Sequence, residues 1–245
     1  PIPIIATSTP SDCFDLAFEA VRIALQHMTP VILLSDGYIA NGAEPWKFPS
    51  AADLPTIEVK FKKALDEGEE KFLPYKRNEK GARPWAIPGT PGLEHRIGGL
   101  EKQAETGNVS YDSENHEFMV KSREAKVDKI ADYIPLQTID TGAEKGKVLI
   151  LGWGSTYGTI KSAALHLQSQ GKAVSHAHIK YMRPFPKNLG DILKNFETVV
   201  IPEINNGQLI KIIRDKYFVD AKGYNKIMGV PITKQELVTA VEQYL

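Results

Sequence analysis

The sequence predicts an α/β protein in which a parallel sheet is covered by helices on both faces, three layers in all. Three observations carry that prediction. From Lys147 onward, strand-like and helix-like segments alternate over roughly 100 residues, the rhythm of parallel α/β domains. The strand-like segments include two continuous apolar runs, Val148-Leu-Ile-Leu151 and Val31-Ile-Leu-Leu34, the latter as expected of a strand buried on both faces of a parallel sheet. The first 34 residues follow the same order of strand, helix and strand.

Taken in order, Ile2-Pro-Ile-Ile-Ala6 reads as a strand. Thr9-Pro10-Ser11-Asp12 is a helix start: Thr9 caps, proline suits the first helical position, and Asp12 faces the positive end of the helix. Phe14, Ala17, Phe18, Val21, Leu25 and Met28 recur at spacings of three and four and predict a helix packed on that stripe, ending near His27. Thr29-Pro30 stops it, and Val31-Ile-Leu-Leu34 predicts a strand buried on both faces of a parallel sheet. Two parallel strands with one crossover cannot enclose a core, so the rest of that sheet is expected from elsewhere. A chain that opens at Pro1 without an initiator methionine reads as a fragment.

Residues 37–115 differ in kind. Proline and glycine are dense in Glu44-Pro-Trp-Lys-Phe-Pro49, Gly81-Ala-Arg-Pro-Trp-Ala-Ile-Pro-Gly-Thr-Pro-Gly92 and Gly98-Gly99. Long irregular stretches of this sort are functional or disordered, and Trp46, Trp85, Ile87 and Leu93 favour a packed one. From about His116, the residues Phe118, Val127, Ile130, Ala131 and Ile134 set a helical period closed by Pro135. Beyond it the pattern predicts a strand at 148–151, a helix at about 156–169 stopped by Gly171, a strand at 173–179 and a turn at Arg183-Pro-Phe-Pro186. A short helix near 188–195, a strand at 198–201, a helix at 208–217, a strand near 226–229 and a helix at 234–244 complete it. The expected division is residues 1–45, a linking segment 46–146 with a helix at about 116–134, and an α/β domain 147–245.

Thirty basic residues balance thirty acidic ones, so no overall field draws the chain to nucleic acid or to an anionic membrane. The one cysteine, Cys13, forms no internal disulfide and cannot alone hold zinc or an iron–sulfur cluster. Without a 20-residue apolar stretch or a leader-like start, the chain reads as cytoplasmic.

The segment Gly152-Trp-Gly-Ser-Thr-Tyr-Gly158 follows an apolar strand and opens a helix, the placement of a phosphate loop. Gly152, Gly154, Ser155, Thr156 and Gly158 are therefore candidates for an anion or coenzyme edge. The spacing G-x-G-x-x-x-G departs from the dinucleotide fingerprint, no lysine follows as in a Walker loop, and tight strand-to-helix packing would also call for these glycines. Glu203-Ile-Asn-Asn-Gly-Gln208 ends the next long strand at the same carboxyl edge, so Glu203, Asn205 and Asn206 are candidates for a ligand or partner edge. Asn206-Gly207 as a plain turn and helix cap is the alternative. Asp36, after the strand ending at Leu34, and His95, within Glu94-His-Arg96, complete the candidates; for the latter a salt-linked surface loop is the simpler reading. His176 and His178 share a strand face, but no third metal ligand lies near them, and polar residues at a sheet end or interface are the simpler reading. No metal site and no catalytic residue is expected.

Four stretches in order add a resemblance: Leu33-Leu-Ser-Asp-Gly-Tyr-Ile-Ala-Asn-Gly-Ala-Glu-Pro-Trp46, Ala82 to Glu101, the glycine segment 152–158, and Pro202-Glu-Ile-Asn-Asn-Gly-Gln-Leu209. Together they resemble the alpha subunit of 2-oxoacid:ferredoxin oxidoreductases, most of all the 2-oxoglutarate enzyme, over essentially the whole chain. The resemblance implies thiamine diphosphate- and magnesium-dependent oxidative decarboxylation of a 2-oxoacid to an acyl-coenzyme A, with electrons passed to ferredoxin. It implies that residues 1–45 are the end of a thiamine diphosphate-binding pyrimidine domain and residues 147–245 a transketolase C-terminal-like domain. The family's beta subunit would supply the pyrophosphate site and the 4Fe-4S cluster, and the family's Tyr-Pro-Ile-Thr-Pro motif and activating glutamate would lie upstream of Pro1. On that footing the fragment binds no cofactor of its own, docks the beta subunit and is inactive alone, and a homodimer is compatible with it. Two alternatives stay open: a stand-alone nucleotide or coenzyme A module using Gly152–Gly158, and a purely structural assembly domain.

Overall fold

A computed structural model describes residues 1–245. The chain packs as two units, one formed by Pro1–Pro3, Phe18–Ile32 and Lys47–Tyr133, the other by Ile4–Ala17, Leu33–Trp46 and Ile134–Leu245.

The larger unit is built on a parallel sheet of β5 (Gly146–Trp153), β6 (Val174–Ile179), β8 (Phe196–Glu203) and β9 (Lys222–Asn225), in the order β6-β5-β8-β9. Alternate residues of its central strands feed two separate cores. Leu149, Leu151, Ala177, Val199 and Ile201 pack with α5 (Leu189–Lys194) and α6 (Gln208–Tyr217) through Leu189, Leu193, Leu209 and Ile213. Val148, Ile150, Val174 and Val200 pack with α4 (Tyr157–Ser169) and α7 (Lys234–Glu242) through Ile160, Ala164, Leu167, Leu237 and Val241. Burial of both faces is why the central runs are apolar throughout, and the expected helix/sheet/helix layering is present. α7 starts where the sequence allows a full capping box, with Thr233 and Glu236 exchanging bonds. The last strand is displaced from its expected place. β9 is Lys222-Gly-Tyr-Asn225, while Ile227 and Met228, which drew the prediction to 226–229, are exposed.

The same unit holds a second, small sheet in the order β2-β1-β7, formed by β1 (Ile4–Ala6), β2 (Ile32–Leu34) and β7 (Tyr181–Arg183). Two expectations are corrected here. β2 is an edge strand with Ile32 and Leu33 exposed, because nothing in this chain lies beyond it. β1 gains a neighbour from within the chain, the antiparallel β7, just before the cis Arg183–Pro184 bond where only a turn was read. The start of α1 (Asp12–His27) agrees with its reading: Thr9 Oγ1 accepts from Asp12 N at 3.3 Å while Asp12 Oδ1 accepts from Thr9 N at 3.2 Å. The buried positions of α1 are Asp12, Leu16, Ile23 and His27, whereas Phe14 and Val21 of the expected stripe are exposed. Phe18, Leu25 and Met28 of that stripe are half-buried, so periodicity selected a face only part of which is covered.

In the other unit the proline- and glycine-rich segment is held mainly by polar contacts. β3 (Phe61–Lys62) and β4 (Trp85–Ala86) pair in parallel, and isolated antiparallel bridges join Tyr75 to Glu105 and Lys102 to Val109. Glu69 bridges Lys62 and Lys76 at 2.8 Å each, and Trp85 Nε1 donates to Leu25 O at 2.8 Å. α3 (Ser113–Lys129) begins three residues earlier than expected because Asp112 caps it, accepting from Asn115 N at 2.7 Å. Met119, Val127 and Ile130 are its buried face; Phe118 is exposed.

Candidate ligand site at the carboxyl ends of the strands

Within the larger unit the ends of β1, β2, β5 and β8 border one pocket of about 260 Å³. Ligands of parallel α/β sheets favour this edge, beyond the carboxyl ends of the strands. Thr7, Asp36 and Ile39 line it from the small sheet and α2 (Gly37–Ala40); Trp153, Gly154, Ser155 and Thr156 come from the turn after β5. Ile204, Asn205 and Gln208 come from the turn after β8. A second cavity of about 400 Å³ shares Asp36, Ser155, Thr156 and Ile204 and continues to Thr159 and Gly229–Ile232.

Of the sequence candidates, the pocket brings together Asp36, Gly154, Ser155, Thr156 and Asn205. Gly152, Gly158, Glu203 and Asn206 do not line it, and His95 belongs to the other unit, where its Nδ1 meets Leu93 O at 2.8 Å and its ring stands edge-on to Phe72. Trp153, Ile39 and Gln208 line the pocket and were not singled out from sequence. Trp153, inside the glycine segment, and Gln208, at the end of the Glu203–Gln208 stretch, carried a signal that could have found them; Ile39 carried none.

The three glycines have different reasons. A Cβ on Gly152 would lie 2.3 Å from Ile160 Cδ1 and 2.7 Å from His178 Nδ1, so close packing of strand on helix requires glycine there. Gly154 adopts φ +62° and opens the turn, with no side chain pressing on it. Gly158 faces open space, and nothing in the structure explains it.

Glu203 is fully buried and its carboxylate is saturated by donors. Oε1 accepts from Leu209 N at 2.9 Å, Asn205 Nδ2 at 3.1 Å and Trp153 Nε1 at 3.3 Å; Oε2 accepts from Ile210 N at 3.2 Å. It caps the positive end of α6 by accepting from the first amides of that helix and locks Trp153 to the turn after β8. Asn205 Oδ1 accepts from Gln208 N at 3.0 Å, leaving the amide pair of Asn205 and Gln208 at the pocket wall. Asp36 is similarly engaged: Oδ1 accepts from Tyr38 N and Ile39 N at 3.0 Å, capping α2, and Oδ2 accepts from the Ser155 hydroxyl.

The pocket thus carries one carboxylate, no cation, several neutral donors and acceptors, and apolar walls. Such a lining suits an uncharged polar group and works against a phosphate. It fits neither the diphosphate of thiamine diphosphate nor a magnesium ion, and no cluster of three His, Cys, Asp or Glu side chains able to hold a metal occurs in the structure. Near the same edge, Lys180 Nζ lies 3.0 Å from Asp12 Oδ2. Burial pushes the Asp12 carboxyl up, but bonds from Ser8, Thr9 and Lys180 outweigh it and leave the group below its usual range.

Behind the loop, His176 and His178 are buried beneath Tyr157 of α4, with His178 next to last in β6 at the carboxyl end of the sheet. Their rings are 5.6 Å apart, and Tyr157 packs on both. His178 Nε2 meets Gly154 O at 3.0 Å, while neither nitrogen of His176 makes a hydrogen bond, Nε2 standing 4.0 Å from Asp140 Oδ2. Burial pushes the two pKa values down, to about 4 for His176 and about 3 for His178, so both rings are neutral.

Residues 1–114 match the family described as pyruvate flavodoxin/ferredoxin oxidoreductase, thiamine diphosphate-binding, and residues 146–237 match pyruvate:ferredoxin oxidoreductase core domain II. The chain is 47% identical over 238 residues to the 2-oxoglutarate oxidoreductase subunit KorA of Mycobacterium tuberculosis, covering 97% of this chain and 36% of that protein. It is 28% identical over 243 residues to the 2-oxoglutarate synthase subunit KorA of Archaeoglobus fulgidus, covering 99% of this chain and 61% of that one. The fold superposes with a TM-score of 0.88 and 27% identity on a 2-oxoglutarate:ferredoxin oxidoreductase from Magnetococcus marinus, solved with 2-oxoglutarate, coenzyme A and succinyl-CoA bound, over all of this chain and 42% of that one. The chain therefore spans between about a third and three fifths of the relatives it matches. On both family matches, lying in the same order along one chain, it belongs to the alpha subunits of the 2-oxoacid:ferredoxin oxidoreductases.

Proposed function

We propose that this chain forms part of the alpha subunit of a thiamine diphosphate-dependent oxidoreductase that converts 2-oxoglutarate to succinyl-coenzyme A and reduces ferredoxin. The observation that carries the substrate is the 47% identity to a 2-oxoglutarate oxidoreductase subunit across 97% of the chain. In this reading residues 1–45 complete a pyrimidine-type cofactor domain, 46–146 link it onward, and 147–245 form the transketolase C-terminal-like domain. The pocket at the strand ends, bordered by Asp36, Ser155 and Asn205, receives an uncharged part of a ligand such as the amide-bearing arm of coenzyme A. Its neutral donors and its lack of any cation favour that arm over the nucleotide end. Magnesium, the diphosphate and the 4Fe-4S cluster are held with or by a beta subunit. Exposed apolar side chains at Phe14, Val21, Ile32 and Leu33 favour a partner protein, since such groups on helix and edge strand gain by being covered.

The test is reconstitution. The chain alone, given 2-oxoglutarate, coenzyme A, thiamine diphosphate and magnesium, is expected to leave ferredoxin oxidised, and to associate with the beta subunit in gel filtration. Failure of the association, or failure of the assembled full-length subunits to reduce ferredoxin with any 2-oxoacid, rejects the proposal. Calorimetry separates the stand-alone alternative, which requires tight binding of NAD or coenzyme A by this chain without a partner.

A further inference from the structure

The smaller unit contains a cavity of about 500 Å³ that the reading above does not use. Arg77, Arg83, Lys102, Arg123 and Lys126 line it with a single carboxylate, Glu101. That carboxylate is already engaged: Arg123 grips it bidentately at 3.0 and 3.1 Å, and His116 Nδ1 lies 2.7 Å from Oε2. The other cations have carbonyl oxygens as their hydrogen-bond acceptors and no carboxylate. Arg77 donates to Gly81 O at 2.9 Å, Arg83 to Pro74 O at 3.4 Å, Lys102 to Leu100 O at 2.6 Å and Lys126 to Met28 O at 2.9 Å.

These groups come from distant positions and are held in place. Arg83 stacks on the Tyr75 ring at 4.5 Å, which fixes the plane of its guanidinium. Gly81, at φ +75°, lets the backbone approach Lys126, where a Cβ would stand 3.1 Å from the lysine Cβ. Partly buried like charges gathered without counter-charge cost stability, and an anion removes that cost. The cost is visible at Lys126, where burial first, and then Arg77, Arg83 and Arg123, push the ammonium pKa down to about 8. Arg77 is shifted down as well, by burial and then by Arg83 and Arg123.

We propose that this cavity is an anion site for a small polyphosphate, held by the forked guanidinium groups of Arg77 and Arg83 together with Lys126. Phosphate is favoured over carboxylate because several guanidinium groups can each present paired donors to its three oxygens. The ligand enters metal-free, since the one carboxylate is occupied by Arg123 and His116 and is not left to hold a bridging cation. No catalytic step is assigned to the site.

Calorimetric titration of the 245-residue chain with sodium pyrophosphate at low ionic strength tests it, with ADP, magnesium pyrophosphate and 2-oxoglutarate as further arms. Pyrophosphate is expected to bind with a dissociation constant of roughly 0.1 mM and to weaken with added salt. The double variant Arg77→Gln, Arg83→Gln should lose at least about tenfold in affinity, while Glu101→Gln, acting in the opposite direction, should gain severalfold. Nitrogen NMR of Lys126 should show its pKa rising from about 8 on addition of pyrophosphate. Binding of ADP as tight as pyrophosphate assigns the phosphates to a nucleotide; binding of pyrophosphate alone assigns an inorganic ligand. Equal binding of 2-oxoglutarate, tighter binding with magnesium, no gain from Glu101→Gln, or an unmoved Lys126 overturns the proposal, and the last two hold even if the arginine variant fails to fold.

Discussion

At the scale of single residues, two positions that looked like ligand contacts are parts of the frame. Glu203 has all its donors inside the fold, so Glu203→Ala should strand the Trp153 indole and the first amides of α6 and cost about 3 kcal/mol or more in urea unfolding. Gly152→Ala should cost about 1–3 kcal/mol by the same measurement, because the new methyl meets Ile160 Cδ1 and the His178 ring and forces both buried side chains to shift. The sequence marked these positions as important without saying for what. A glutamate after an apolar strand and a glycine before a helix look the same whether they face a ligand or a neighbouring strand. What separates them is the contact of Asp36 with Ser155 and of Trp153 with Glu203, pairs 119 and 50 residues apart.

Elements were legible in proportion to how local their cause is. The central strands β5 and β8, buried on both faces, announce themselves as apolar runs, and α7 is fixed by its own capping box. β7 and β9 are short and polar and exist because a partner strand offers backbone groups, which no window of sequence contains. β6 adds a titration that its sequence hides. His176 is neutral when folded and charges freely when unfolded, so between about pH 6.5 and 4 the unfolded chain binds more protons and stability falls as pH is lowered through that window. His176→Leu should therefore reduce the loss between pH 7.5 and pH 5 by about 2 kcal/mol, read from urea midpoints at the two pH values, since a tenfold change in proton affinity is worth about 1.4 kcal/mol. An unchanged pH dependence would mean that the ring keeps its ordinary pKa in the fold.

For the whole molecule, the family was legible from four motifs in order, whereas the division into packing units was not. The units interleave along the chain, with residues 4–17 and 33–46 joining residues 134–245. A cut at residue 45 or 147 separates strands that hydrogen-bond to one another. A chain truncated before Lys147 should therefore lose the neighbour of β1, and its N-terminal sheet is expected to show no slowly exchanging amides by hydrogen-exchange mass spectrometry, unlike the intact chain.

The β1–β7 pairing also sets an order in time. Its partners, Ile4 and Arg183, are roughly 180 residues apart, and closing so long a loop carries an entropic cost that local pairs such as β5–β6 largely avoid. During synthesis, then, β1 leaves the ribosome roughly 180 residues ahead of its antiparallel neighbour β7 and, with only β2 to pair with in the meantime, keeps one edge of backbone groups open. The open edge of β1 is thus among the last in the small sheet to be covered, a backbone ladder exposed to wrong pairing until β7 arrives.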